Sequence, residues 1–199
     1  LRGDMYEEVV KFFEDLFQRD GSVLDIIDSD HTFMNAALAT FYGHQGLPAQ
    51  GWHRVDGMKR MQRGGGIGMA AILSKQSGAT RTSPVLRGNW IVETLLGEHL
   101  PDPPATVPEL PDAINRQGLT VRELTEKHVS LPACAKCHVR IDPYGFALEA
   151  FDAIGRHREQ DLVGQPVDTH ARLHDGTEFE GLQGLKHHLL DKHRDAILR

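Results

Sequence analysis

The sequence predicts a mainly α protein with long loops. Apolar residues recur at helical spacing in several segments, and no alternation of strands and helices of the βαβ kind is present. Segments rich in glycine or proline separate the helical ones, and there is no internal repeat or heptad pattern. With 199 residues, of which 40% are hydrophobic, the chain is long enough for one domain with extensions.

The first 68 residues predict three helices and one long loop. Apolar residues at helical spacing predict a helix over residues 5–18, and Ser22 is placed to cap a short helix after it. Residues 32–42 (TFMNAALATFY) predict a third helix, with Gly43 in the position of a C′ glycine. Residues 43–68 are rich in glycine and lack periodicity, which predicts a long loop of the kind that often carries function.

Two helices and a proline-rich segment are predicted next. The apolar stretch 68–75 predicts a short helix. A longer helix begins with Ser83 as N-cap and Pro84 as its first residue, and Gly97 marks its far end. Residues 100–111 contain most of a proline-rich run, which predicts an extended loop on the surface.

The C-terminal part predicts three further helices and a small β-hairpin. The capping box TVRE, residues 120–123, starts a helix that ends near residue 129. Another helix is expected over 145–153, and residues 174–181 (HDGTEFEG) predict a hairpin that turns on its Asp-Gly pair. A last helix, starting near Leu182, forms a C-terminal extension.

The charge and the apolar content of the sequence argue against several classes of protein. The formal net charge is −6 and no basic stripe offsets it, which argues against nucleic acid or an anionic membrane as the main partner. No apolar run reaches the roughly 20 residues that span a bilayer, and no signal peptide is visible. The chain opens on LRGDMYEEVV, which reads as the inside of a helix, so we expect it to be a piece of a longer protein. Its twelve histidines raise the question of metal or haem.

The chemistry of the chain is concentrated in the segment CAKCH. Cys134 and Cys137 are the only cysteines, and His138 follows them directly. This C-x-x-C-H spacing is the attachment signature of c-type haem. Two thiols one turn apart add to the two vinyl groups of one porphyrin, and the adjacent imidazole is then carried to the iron as the proximal ligand.

Other interpretations of the cysteine pair stay open. A thioredoxin-like dithiol normally lies near a βαβ unit, and the sequence shows no βαβ pattern. A zinc site would need two of the scattered histidines, because there is no second C-x-x-C pair. A structural disulfide or a chance pair are the remaining alternatives. The helical context and the absence of any other cysteine favour haem.

Long stretches of the chain resemble planctomycete-type cytochrome c proteins, which are large secreted multidomain chains with modules of unknown function. The stretches are RGGGIGMAAILSKQSGATRTSPVLRGNWIVETLLG, PDPPATVPEL, EKHVSLPACAKCHVRIDPYGFALEAFDAIGRHR and PVDTHARLHDGTEFEGLQGLKHHLL. The earlier stretch SVLDIIDSDHTFMNAALATFYG is similar to the end of the module that normally precedes this one. We therefore expect a helical N-terminal segment over 1–50 and a c-type cytochrome module with a cytochrome c-like haem core over 51–199.

The resemblance implies a periplasmic or secreted haem protein, in agreement with covalent haem attachment outside the cytoplasm. It implies no known reaction. Members are often fused to carbohydrate-binding or other haem modules, so electron delivery to oxidative polysaccharide breakdown is a plausible setting. The expected partner is a redox protein or a neighbouring module of a longer parent chain.

The second axial ligand of the iron is predicted to be Met69. It follows the glycine-rich loop, well away in sequence from the haem motif, and in the family this position resembles one that holds Met or His. The alternative is that Met69 is an ordinary core residue. His128, six residues before Cys134, is the next candidate for the ligand, followed by Met58 and Met61.

Three further residues are predicted to support the haem. Phe146 is expected to contact the apolar plate, and the pair Asp142-Pro143 is expected to end the motif's helix and turn the chain back toward the ring. Arg81 and Arg87, in the family-like stretch TRTSPVLRG, are expected to pair with the propionates, since arginine forms bidentate bonds to carboxylates. Their alternative is a solvated surface position.

The sequence thus predicts a mono-haem c-type cytochrome module that passes single electrons. Cys134 and Cys137 hold haem c, and His138 and Met69 bind its iron. The alternative is a haem enzyme or small-ligand sensor with an open or weakly held distal site. Whether the protein is an enzyme is not decided by the sequence, which shows no dedicated distal acid–base pair.

Overall fold

A computed structural model describes residues 1–101, 118–129 and 132–198, and of residues 132 and 133 it describes the backbone alone. Its helices are α1 (Arg2–Gln18), α2 (Asp25–Asp28), α3 (Ala36–Tyr42), α4 (Ala70–Lys75), α5 (Pro84–Trp90), α6 (Val121–Val129), α7 (Pro132–Phe146), α8 (Gly181–Lys192) and α9 (Arg194–Ile197). Its strands are β1 (His31–Met34), β2 (His53–Asp56), β3 (His170–Arg172) and β4 (Glu178–Glu180). The mainly α prediction is confirmed. The proline-rich loop predicted over 100–111 lies outside the described residues from position 102 onward.

The helix predicted over residues 32–42 is wrong in its first third. Residues His31–Met34 form β1, which pairs antiparallel with β2 in the register His31↔Asp56. The helix starts only after Asn35, whose side chain accepts a hydrogen bond from the Leu38 amide. The region 43–68, predicted to be a long loop, therefore contains strand β2. It also contains 3₁₀ turns at Met58–Met61 and Gly66–Gly68. Pairing between distant segments overrode the local helical pattern.

The helix starts predicted at Ser83 and Thr120 and the hairpin are confirmed, whereas Ser22 does not cap α2, whose N-cap is Leu24. The Ser83 hydroxyl accepts from the Leu86 amide at the start of α5, and α5 passes into a π-helical turn at Ile91–Leu95. Thr120 and Glu123 bond reciprocally, each side chain accepting from the other's amide, at the start of α6. Strands β3 and β4 pair antiparallel, and the turn between them contains Gly176 at φ +86°.

Helix α7 runs straight through the predicted stop at Asp142-Pro143. It continues to Phe146, so the separate helix predicted over 145–153 is also wrong. Pro143 has no amide hydrogen, and the helical bond to the carbonyl four residues earlier is missing. Packing against α5 keeps α7 continuous. Two glycines permit this packing, because they let the two backbones come into contact.

The backbones of α5 and α7 touch at Gly88 and Gly145. A Cβ atom on Gly88 would lie 1.9 Å from the Ile141 carbonyl oxygen, and one on Gly145 would lie 1.9 Å from the Pro84 carbonyl oxygen. No side chain larger than hydrogen fits at either position. The two helices therefore cross at a distance that only glycine permits.

The main core surrounds this crossing. Its buried members come mainly from the π-helical turn, α7 and the segment after it, the hairpin and α8; they include Ile91, Val92, Leu148, Phe151, Leu185 and Leu189, and α5 packs against them with Val85 and Trp90 partly buried. A second core cluster belongs to the N-terminal part, with Met34, Leu38, Met58 and Ala70 among its members. No helix in the described part of the chain combines the length and the apolar character needed to cross a membrane.

A buried polar network joins the N-terminal helices to the rest. The carboxylate of Glu8 accepts from the Thr32 hydroxyl at 2.7 Å and from the Tyr42 hydroxyl at 2.6 Å. The Arg63 guanidinium lies 3.9 Å from the centre of the Tyr42 ring and donates to the carbonyl oxygens of Gly68 and Gly155. The sequence pattern indicated none of this, because Glu8 lies among residues expected on the exposed face of α1. With the pairing of β1 and β2, the network links residues on both sides of the boundary predicted at residue 50.

Replacing Gly88 by alanine is expected to destabilise the protein by about 3 kcal/mol. The new methyl group would overlap a backbone carbonyl, which cannot move without shifting α7. Chemical denaturation followed by circular dichroism measures the loss. Gly3→Ala is the matched control, since its Cβ would meet no atom within 4 Å and alanine favours the helix there. Equal stability of the two variants would contradict the close crossing.

The contribution of Glu8 to the stability of the protein is expected to fall as pH rises from about 4.5 to about 7. Burial raises the pKa of Glu8 from its ordinary value of 4.5 to about 7, against the opposing effect of the two hydroxyl donors. The fold therefore holds the proton more tightly than the unfolded chain, and this contribution of ~3 kcal/mol is present below pH 4.5 and lost by pH 7. Glu8→Gln should remove that slope, whereas Glu7→Gln, at an exposed neighbouring position, should keep it. Parallel slopes for the wild type and Glu8→Gln would contradict the assignment.

Candidate functional site

Helix α7 carries both cysteines and His138 within its first two turns. Cys134 and Cys137 are free thiols, both partly exposed, and their spacing of three places them on one side of the helix. His138 follows on the same helix, with its side chain 11% exposed. The motif is thus presented by a regular helix whose position is set by the crossing with α5.

The imidazole of His138 is bound at one nitrogen by Asp142. Nδ1 lies 2.9 Å from each carboxylate oxygen, and the carboxylate is only 7% exposed. The two residues are four apart, which puts them on adjacent turns of α7. Burial raises the pKa of Asp142, and the bond to His138 opposes that shift. The bond at Nδ1 defines Nε2 as the nitrogen that would bind a metal.

His128 lies beside this pair at the end of α6. Its ring centre is 5.2 Å from that of His138, in an edge-to-face arrangement. Burial lowers the pKa of His128, and the nearby His138 lowers it further. The structure therefore places His128 next to His138, the predicted proximal ligand.

A cavity of about 350 Å³ opens between α6, α7 and β3, and His138 lines it. Asp142 and Phe146, one and two turns further along α7, line the same cavity, together with Arg122, His170 and Arg172. Phe146 thus shares a cavity with His138, as its predicted role requires. The walls combine apolar surface with cationic groups, a lining that suits a flat apolar molecule with anionic substituents.

Arg122 is the most firmly held cation of this cavity. Its guanidinium lies 3.9 Å from the centre of the Phe146 ring and donates to the carbonyl oxygens of Asp168 and His170 at 3.1 and 2.6 Å. It also forms an ion pair with the Asp168 carboxylate. These contacts attach α6 to the segment that leads into β3, and they hold the guanidinium over the Phe146 ring.

The arginines predicted to bind propionates lie elsewhere. Arg87 is 1% exposed, and its terminal nitrogens donate to the carbonyl oxygens of Leu148, Phe151 and Asp152. It is neither solvated nor directed at the cavity, so the structure gives it a different role from the predicted one. Arg81 lies in the turn closed by the bridge between residues 77 and 82. Neither residue is among those that line the cavity.

Of the candidate methionines, Met58 and Met69 are buried and Met61 is half-buried. Met69 is 2% exposed and directly precedes α4. Met58 is a member of the N-terminal core cluster, and Met61 packs against it. None of the three lines the cavity beside His138. The described residues also include no group of three His, Cys, Asp or Glu side chains arranged to hold a metal ion, so the zinc interpretation has no ligand set there.

Two residues of the site were missed from the sequence. The sequence predicts Asp142 as part of a helix stop; on a continuous helix its spacing of four from His138 makes it a partner of that imidazole. Arg122 was read as an interior residue of a capping box. Its role depends on β3, which is 48 residues away in the chain, and no local signal indicated it.

Two stretches of the chain match family models. Residues 63–161 match PSCyt3, described as a protein of unknown function (DUF1588), and this stretch contains α6, α7 and the C-x-x-C-H motif. Residues 1–44 match PSD4, also described as a protein of unknown function (DUF1592). Both are families of planctomycete-type cytochrome c modules, in agreement with the resemblance noted from the sequence. Comparison with curated proteins and with solved structures found no match.

Proposed function

We propose that this protein is a mono-haem c-type cytochrome module that transfers single electrons. The observation that carries the proposal is the arrangement on α7: two free, partly exposed thiols one turn apart, followed by an imidazole whose Nδ1 is bound by Asp142. This donor set fits haem c. The thiols suit its two vinyl groups, and Nε2 of His138 suits its iron. The match to PSCyt3 supports the cytochrome assignment through the family's name.

The residues of α7 would each perform a defined step. Cys134 and Cys137 would hold the haem, each sulfur bonding to one vinyl group while the thiol hydrogen passes to the other carbon of that vinyl, so that no oxidant or reductant is consumed. His138 would bind the iron through Nε2, with Asp142 holding its ring in place. When bound, the haem supplies an iron that gains and loses one electron.

The cavity supports the proposal because its lining suits the rest of the haem. Phe146 offers an apolar face, and Arg122 and Arg172 offer cations to the propionates. We infer that these two arginines replace Arg87, which is buried elsewhere and does not line the cavity. Arg122 is the better held of the two, since Arg172 is 70% exposed.

A second candidate function is a haem enzyme or small-ligand sensor. One observation favours it: the described lining of the cavity beside His138 includes no methionine. With Met69 bound to the iron, the protein would transfer electrons through a six-coordinate haem. Without it, the distal site would be open to a small ligand. We retain Met69 as the proposed distal ligand, on the resemblance of its sequence position.

The proposed setting is extracytoplasmic, because covalent haem attachment of this kind takes place there. The match of residues 1–44 to PSD4, a module often found in larger chains, supports a neighbouring module as partner. A separate redox protein is the other proposed partner. Electron delivery to oxidative polysaccharide breakdown is the proposed pathway, in line with the resemblance.

Export of the wild-type chain in a host that matures c-type cytochromes is expected to give protein with one covalently bound haem. Intact mass and the alkaline pyridine spectrum measure the attachment. Cys134→Ser and Cys137→Ser should each lose one thioether bond, and the double variant should lose covalent haem altogether. His138→Ala should keep the thioethers and lose the low-spin spectrum. Wild-type protein that was exported and folded but carried no haem would overturn the proposed function.

Replacing Met69 by alanine is expected to convert reduced low-spin haem to a high-spin form, because the sixth ligand is removed. Visible spectra before and after dithionite measure the change. Met61→Ala is the control, since Met61 lies in the same region and is the weaker candidate. An unchanged low-spin spectrum in Met69→Ala would remove Met69 as the ligand, and a high-spin wild type would favour the enzyme or sensor.

A further inference from the structure

We propose that Asp142 is a positioning residue for His138, and that its carboxylate strengthens the imidazole as a donor to iron and so lowers the reduction potential of the module. The inference rests on the proposed function and deepens it. Nothing in the family matches assigns a role to this residue. It concerns how strongly the attached haem holds its electron, which the C-x-x-C-H motif alone does not determine.

The geometry of the pair is specific. Both carboxylate oxygens of Asp142 lie 2.9 Å from Nδ1 of His138, so the ring nitrogen faces the middle of the carboxylate. Side-chain exposure is 11% for His138 and 7% for Asp142, which keeps bulk water from competing for the bond. The two residues share α7, and the contact of Gly145 with the Pro84 carbonyl holds this helix against α5. The ring orientation is therefore set by a rigid frame.

The charge of the partner determines its effect on the metal. A histidine that binds a metal almost always donates its other N–H to an acceptor, and this partner fixes the tautomer and raises the basicity of the ligand. A carboxylate forms a stronger bond to the ring N–H than a neutral acceptor does. The greater electron density at Nε2 then stabilises the oxidised iron more than the reduced iron.

Burial raises the pKa of Asp142, but three neighbouring groups oppose this shift and favour the carboxylate: His138, His128 and Arg122. Arg122 lines the same cavity and places a fixed cation over Phe146, one turn from Asp142. His128 lies beside His138, and the centres of the two rings are 5.2 Å apart. Glu126 is the other acidic residue of the cavity lining, and it is 3.7 Å from Arg122.

The decisive comparison uses the haem-loaded protein and the variants Asp142→Asn and Asp142→Ala. Asparagine keeps an acceptor for Nδ1–H but removes the charge, and alanine removes both. Asp191→Asn is the control, since it removes an acidic charge from an exposed position on α8. We expect the Asp142→Asn oxidised-to-reduced ratio to fall at least tenfold at a given electrode potential, equivalent to about +59 mV in midpoint for a one-electron couple. Asp191→Asn should leave the ratio within a factor of two.

A second measurement does not need the haem. In the apoprotein, at a pH where the imidazole is neutral, ¹⁵N NMR should show the proton of His138 on Nδ1. Asp142→Asn should retain this tautomer and Asp142→Ala should lose the preference. The opposite tautomer in the wild type would overturn the inference even if a variant failed to fold or to attach haem.

The outcomes separate the two proposals. If the wild type carries haem and Asp142→Asn moves the midpoint no further than Asp191→Asn does, the inference fails and the proposed function stands. If the exported wild type carries no haem, both fail. A raised midpoint in Asp142→Asn, with the thioethers intact and His138 protonated on Nδ1, supports both.

Discussion

The architecture depends on the direct contact between the backbones of α5 and α7. Gly88 and Gly145 permit it, because a Cβ atom at either position would overlap a carbonyl oxygen of the other helix. Packing at this distance keeps α7 helical past Pro143, where the chain's own preference is to stop. Because α7 is unbroken, His138, Asp142 and Phe146 follow one another at spacings of four and line the same cavity.

Buried arginines hold the irregular segment that follows α7. Arg87 donates to three carbonyl oxygens between residues 148 and 152, and Arg63 donates to that of Gly155. Glu149, which pairs with Arg87 and Arg158, supplies the negative charge that buried guanidinium groups require. The sequence predicted a propionate partner for Arg87, but its guanidinium binds backbone carbonyls of the segment that follows the C-x-x-C-H helix. The cations available to an anionic ligand come from α6 and β3.

The two stretches that match different family models are packed together. Thr32 and Tyr42, in the PSD4 stretch, donate to Glu8, and Arg63, the first residue of the PSCyt3 stretch, lies over the Tyr42 ring. Lys186 of α8 adds an ion pair with Asp28. Such buried polar contacts require exact geometry, because an unpaired buried charge costs several kcal/mol. A haem attached to α7 would therefore sit in a framework to which residues 1–44 also contribute.

The sequence by itself determined the C-x-x-C-H motif, several helix starts and the hairpin. These features depend on contacts between residues that are close together in the chain. The spacing of Cys134, Cys137 and His138 predicts haem attachment because five residues contain the whole chemical requirement. Ser83 and the pair Thr120 and Glu123 cap helices through bonds within three residues, so local pattern sufficed. Tertiary structure alone decided the strand at 31–34, the continuity of α7, and the roles of Arg87 and Arg122. In each of these cases the residue or segment contacts residues that are distant in the chain. Those contacts outweigh a local conformational preference of about one to three kcal/mol.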